Sequence, residues 1–165
     1  MTNQPTLAAT TIHVLISTSL VAGLAVATGA PLLFPALGAS AVIVFGAPTS
    51  PTSRPRNVVC SHLLGAVVGW CMLAAFGVAG ERGGLSAPLD AVHAATGVIS
   101  LALTTGLMLR LAIFHPAAGA TTMIVGMGLL PHAHQIASIV GAAALLCVYA
   151  RLVLRRAQVA YPWWT

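Results

Sequence analysis

Two stretches of this chain repeat one order of residue types. Phe34-Pro35-Ala36-Leu37-Gly38-Ala39-Ser40-Ala41 runs into Val42-Ile43-Val44, and His115-Pro116-Ala117-Ala118-Gly119-Ala120-Thr121-Thr122 runs into Met123-Ile124-Val125. Each copy is a proline, small residues, a glycine, a hydroxyl and a short apolar run. Proline suits a first helical turn because it has no amide hydrogen to leave unpaired there. The amides that follow, at Ala36, Leu37 and Gly38 and at Ala117, Ala118 and Gly119, have no partner within an ideal helix. Free amides and the positive end of the helix dipole together attract a small anion. Gly38 and Gly119 hold no side chain in the way, and Ser40, Thr121 and Thr122 add hydroxyls one turn deeper. His115, at the expected N-cap of the second copy, can donate to such an anion or hand it a proton; capping against a neighbouring loop is the structural reading of the same position.

Other polar residues extend or compete with this site. His62 opens the next apolar run, close in sequence to Arg56 and Asn57, and joins the candidate anion-binding set. Arg56 and Arg110 are candidates for positioning or gating at the mouth, although arginine stems also snorkel to a membrane surface. His13 and His93 lie 80 residues apart and could face the interior as a pair, or simply be satisfied between helices. His132 and His134 have no third ligand nearby in sequence, so no metal site is expected. Cys60, Cys71 and Cys147 fall inside apolar runs and read as small core residues. Ser61, Gly65 and Gly69 form a small-residue ridge suited to close helix packing, within or between protomers.

These residues must be positioned within a bilayer. The 165-residue chain is 58% hydrophobic and 5% charged, far below the roughly one quarter that a soluble surface requires. The net charge of +5 comes from arginines spread between apolar runs, which suits lipid headgroups and topology rather than nucleic acid. Six apolar segments follow one another: residues 7–28, 34–47, 58–79, 91–109, 116–130 and 136–154. The first, third, fourth and sixth approach the roughly 20 residues a spanning helix needs, and the second and fifth fall short. Paired short segments opening with proline and glycine point to a binding site between the repeats of a transporter. No Asp or Glu lies within a segment, which favours an anion or neutral solute over a cation.

The fold class expected is therefore all-α and polytopic, a single membrane domain of two inverted three-helix repeats at residues 8–80 and 89–156. Pro35 and Pro116 are 81 residues apart, and Gly65 and Gly141 are 76 apart. Three spans per unit is odd, so the second unit inserts upside down. With six spans, Arg54, Arg56, Arg110, Arg151, Arg155 and Arg156 share one side and Arg82 sits on the other, which predicts cytoplasmic termini in a bacterial inner membrane. Residues 157–165, with Tyr161-Pro162-Trp163-Trp164, read as an interfacial tail. No Lys or Arg precedes the first apolar run, so a cleaved signal peptide is not expected.

Over roughly residues 8–150 the chain resembles the HPP family of integral membrane proteins. The likeness is carried by Phe34 to Ser40, the loop from Pro48 to Pro55-Arg56-Asn57, His62, and His115 to Thr121. The family is named for a His-Pro-Pro triplet, and here Ala117 stands in the third place. Members are linked to nitrite transport in plant chloroplasts and cyanobacteria. The resemblance thus implies a transporter of nitrite or a similar small anion, with carry-over limited to His115, Pro116, Gly119, Ala120 and Thr121. The alternative is the substrate-binding membrane subunit of a multi-component transporter. A serine hydrolase using Ser40 with His62 or His115 is the third reading, and catalysis is not expected because no convincing oxyanion arrangement follows from the sequence. No cofactor is expected; the partners expected are the anion, the bilayer and, compatibly with the ridge, further copies of the chain.

Overall fold

The structure, a computed structural model, describes residues 6–81, 83 and 88–163. Its elements are α1 (Leu7–Thr28), α2 (Pro35–Gly46), a 3-10 turn (Pro51–Ser53), α3 (Pro55–Ala75), α4 (Ala91–Arg110), α5 (Ala117–Gly126) and α6 (Gln135–Arg156). No strand occurs among the described residues. Helices α1, α3, α4 and α6 are long and apolar enough to cross a membrane. Helices α2 and α5, of 12 and 10 residues, rise only about 18 and 15 Å at 1.5 Å per residue.

Two helix ends differ from the apolar runs. The third segment was expected to continue to Ala79 and the fifth to Leu130, but the helices stop at Ala75 and Gly126. Glycines in the left-handed region close both: Gly77 at φ 76° and Gly128 at φ 75°. In each case the next amide reaches back five residues, Val78 to the Leu73 carbonyl and Leu129 to the Ile124 carbonyl, both at 3.0 Å. This is the Schellman closure, and apolar residues beyond it do not prolong the helix. At its other end α3 begins three residues before the apolar run, because Pro55 fits the first turn and Asn57 turns inward, donating to the Pro51 carbonyl at 2.9 Å.

The main core joins α2 (Ala36, Leu37, Ala41, Val44, Phe45) to Val58 and Ala66 of α3 and to Ile139, Ala142 and Leu146 of α6. Large apolar side chains elsewhere face outward, among them Leu15 and Leu20 of α1 and Val98 and Leu103 of α4. Helix α3 packs on α4, α5 and α6; α4 packs on α5; and α2 packs on α1, α5 and α6, with α1 also touching α6. Tyr161, expected in an interfacial tail, is instead buried in the main core, while Arg151 lies 4.8 Å above the Trp163 ring. Arg82 and Trp164 lie outside the described residues.

Asp90 caps α4, accepting from the amides of Val92 (2.8 Å) and His93 (3.0 Å) and meeting His93 Nδ1 at 2.6 Å. The hydrogen bonds from His93, backbone first, hold the carboxyl below its usual value of 3.8. A depressed carboxylate stabilises the fold above the unfolded pKa and loses that contribution as pH falls through the folded one. Thermal unfolding of detergent-solubilised protein should therefore shift to lower temperature as pH drops below about 4, and Asp90→Asn should lose that part of the shift. An identical pH dependence in the variant would count against this cap.

Candidate functional site

The starts of the two short helices meet around one histidine. The Phe34 ring, just before α2, packs edge-on to His62 at 6.0 Å between centroids, and the His115 ring, just before α5, lies 5.4 Å from it. Pro55 starts α3 early enough that His62 falls two turns in, level with both tips. Helix α2 then brings Ser40 between the two imidazoles. Its Oγ is 2.8 Å from His62 Nε2 and 2.9 Å from His115 Nε2. On the far side His62 Nδ1 is 2.7 Å from Thr121 Oγ1 of α5, and His115 Nδ1 is 2.7 Å from the Thr52 carbonyl in the 3-10 turn. Ser40 also lies 2.9 Å from the Ala36 carbonyl one turn back. Ser40, His62 and His115 have no exposed surface and Thr121 is 1% exposed, so this polar centre is occluded.

The hydroxyls Ser40 and Thr121 occupy equivalent places in the two repeated motifs, 81 residues apart, and His62 bridges them. Without that bridge the Thr121 hydroxyl would lose its one side-chain partner, at a cost of about 1–3 kcal/mol in a low-dielectric interior, whereas Ser40 would keep the Ala36 carbonyl and His115. The turn holding Thr52 is itself fixed: Ser53 Oγ donates to the carbonyls of Ile43 (3.1 Å) and Ala47 (2.7 Å), alongside the Asn57 bond.

The helix-start amides are less open than an ideal helix leaves them. Leu37 N bonds the Phe34 carbonyl at 2.9 Å, and Ala118 N and Gly119 N bond the carbonyls of His115 and Pro116 at 3.0 Å each. A tightened first turn satisfies these donors locally. Ala36 and Ala117 have no backbone acceptor among the described residues. Thr122, expected at the site, instead donates to the Ala118 carbonyl at 3.0 Å and faces Gly65. A Cβ on Gly65 would stand 3.0 Å from the Ala118 carbonyl oxygen, and one on Gly69 would stand 2.9 Å from the Gly126 amide, so the α3 ridge is filled by α5 of the same chain. Ser61 Oγ donates to the Ile113 carbonyl and fixes the segment leading into His115.

The remaining polar candidates lie elsewhere. Arg56 reaches the Ala112 carbonyl at 3.5 Å, and Arg110 is exposed at the end of α4. His13 Nδ1 contacts the Tyr149 hydroxyl at 3.0 Å, and His93 is occupied by Asp90. His132 and His134 stack at 5.5 Å on the surface, and no cluster of three metal-ligating side chains occurs among the described residues. Two participants were not singled out from sequence. Phe34 opens the first motif, but its type announces no contact with a histidine. Thr52 acts through its carbonyl, which side-chain chemistry does not announce; the dense Pro/Ser/Thr run from Pro48 to Pro55 was the available signal.

Comparison with known proteins adds the following. Residues 2–162 match the family described as HPP, transmembrane region. A transmembrane protein of Dictyostelium discoideum is 34% identical over 97 residues, covering 59% of this chain and 30% of the relative. A second transmembrane protein of the same organism is 35% identical over 95 residues, covering 58% of this chain and 27% of the relative. The matched region thus spans less than a third of these relatives. No solved structure matches the chain.

Proposed function

The chain belongs to the HPP transmembrane family, and from its buried polar centre we propose that it carries a small inorganic anion, nitrite first, across a membrane. The observation that carries this reading is the meeting of two short-helix starts at His62, with Ser40, Thr121 and His115 bonded there and no carboxylate in any of the six helices. Such a centre offers N–H and O–H donors and no fixed negative charge, which suits an anion. The occluded state satisfies these donors from within; binding requires the Ser40–histidine contacts to part and an anion oxygen to take their place.

The helix packing supports two inverted repeats. Exchanging α1 with α4, α2 with α5 and α3 with α6 leaves the set of principal helix contacts unchanged, as two equivalent units require. Under this reading the membrane is a bacterial inner membrane, and the arginine distribution supports cytoplasmic termini. The alternative remains a substrate-binding subunit, which would co-purify with an energising partner and move nothing alone.

A serine hydrolase draws support from one observation, the 2.8 Å Ser40–His62 contact. Against it, Ser40 is mid-helix, fully buried and without a neighbouring carboxylate. Labelling of Ser40 by a fluorophosphonate would favour that reading.

The transport test reconstitutes the purified chain in liposomes and follows nitrite, nitrate, formate and chloride, with protein-free vesicles subtracting passage of neutral acids. Nitrite flux at least tenfold above that background is expected. Background flux for all four anions would remove the proposal.

A further inference from the structure

Between the two imidazoles a single hydroxyl proton has two acceptors, and the choice between them is tied to the charge on His115. The Thr52 carbonyl accepts only, so His115 Nδ1 carries a hydrogen and donates to it. When His115 is neutral, its Nε2 is then an acceptor and Ser40 must donate to it. Ser40 Oγ in turn accepts from His62 Nε2–H, which leaves His62 Nδ1 to accept from the Thr121 hydroxyl. Every polar atom is paired and every bond runs one way, from Thr121 through His62, Ser40 and His115 to Thr52.

If His115 is the imidazolium, its Nε2 donates to Ser40 and the hydroxyl turns away, to the Ala36 carbonyl at 2.9 Å or back to His62 Nε2. With the latter choice His62 carries its hydrogen on Nδ1, toward the Thr121 oxygen. This second arrangement keeps the same nitrogen–oxygen contacts, with Thr121 Oγ1 accepting where it had donated. The structure therefore accommodates two protonation states with the same heavy-atom positions.

We infer that His62, Ser40 and His115 form a one-proton relay that couples anion passage to proton movement; the inference rests on the transport reading above. A proton placed on His62 Nδ1 makes that ring a cation. The His62 Nε2–H bond breaks as a Ser40 O–H bond forms, and the old Ser40 O–H bond breaks as a His115 Nε2–H bond forms. The positive charge moves from His62 to His115 with no other reactant. The acid form of the transported anion is a proton donor of the right kind, since it delivers proton and anion together. Neither α2 nor α5 contains a titratable side chain. The charged or titratable groups that α3 and its cap add are Arg54, Arg56, Cys60 and Cys71, and none is hydrogen-bonded to either ring.

Nitrogen-15 NMR of histidine-labelled full-length protein in lipid nanodiscs tests the relay directly. At neutral pH His115 is expected as the Nδ1–H tautomer and His62 as the Nε2–H tautomer. An Nε2–H tautomer at His115 would overturn the relay. In liposomes enclosing a pH-sensitive dye, one proton per nitrite is expected. Ser40→Ala should cut proton movement at least tenfold and Ser40→Thr should restore it; should Ser40→Ala fail to fold, the wild-type tautomers and stoichiometry decide. Nitrite flux with no accompanying proton overturns the relay and leaves the transport reading intact. No flux of any anion overturns the transport reading, and the tautomers then judge the relay alone.

Discussion

Replacing His115 with alanine should lower nitrite flux through reconstituted protein by tenfold or more. The imidazole is fully buried and holds two positions at once, Ser40 Oγ at 2.9 Å and the Thr52 carbonyl at 2.7 Å. Its removal takes away the nitrogen that accepts the Ser40 proton and frees the α5 tip from the 3-10 turn. Each buried group left without a partner costs about 1–3 kcal/mol, so part of the effect would be structural. His115→Gln separates the two contributions. The amide can still donate and accept but does not titrate, so the fold should be retained while proton-coupled flux is lost. Wild-type flux in both variants would dissociate the polar centre from transport.

The second large effect lies on α3. Gly69→Val is expected to lower the unfolding temperature strongly, because a Cβ there would stand 2.9 Å from the Gly126 amide and 3.0 Å from the Thr122 carbonyl oxygen. Both obstacles are backbone and cannot rotate aside, and overpacking a close-packed site costs typically about 1–3 kcal/mol, occasionally more. Gly65→Val should behave similarly, since Thr122 Oγ1 and the Ala118 carbonyl oxygen crowd that position. Gly141→Ala on α6 is the control: it occupies the place equivalent to Gly65 in the second motif alignment, yet an added Cβ there meets nothing within 4 Å. Size-exclusion profiles and thermal unfolding in detergent would read all three. A monodisperse Gly69→Val protein with the wild-type melting temperature would show that the α3–α5 approach is looser than described.

The contrast between Gly65 and Gly141 bears on what repetition in sequence can tell. The two motifs predict equivalent helices, and equivalent helices form. Equivalence of residue types does not make the two halves pack alike. Helix α3 sits against the backbone of α5, whereas the corresponding face of α6 stands clear at Gly141. The polar centre is similarly one-sided. Ser40 and Thr121 are counterparts, but the bridging imidazole comes from the first half alone, because Ser138 stands where His62 does in the 76-residue alignment.

Much of the architecture was legible because membrane spans are written in composition. Hydrocarbon leaves no water to pair backbone groups, so an apolar run long enough to cross becomes a helix. Leu7–Thr28 was delimited without error, and the starts or ends of the others shifted where local chemistry outweighed hydropathy. Gly77 and Gly128 ended helices inside apolar runs, and Pro55 began one among polar residues. The site was partly legible: Ser40, His62, His115 and Thr121 were named from their types and positions, and the structure brings these four together.

What the chain determined by itself, then, was its solvent, its helices and the identity of its polar residues, since these follow from local periodicity, proline and glycine. Tertiary packing alone decided that one hydroxyl would stand between two imidazoles, that a carbonyl from the 3-10 turn would orient His115, and that the Leu37, Ala118 and Gly119 amides would be closed by their own first turns. Those outcomes depend on ångström-scale approach between segments 22 to 75 residues apart. Residue type constrains which bonds are possible; only the packed helices select which are made.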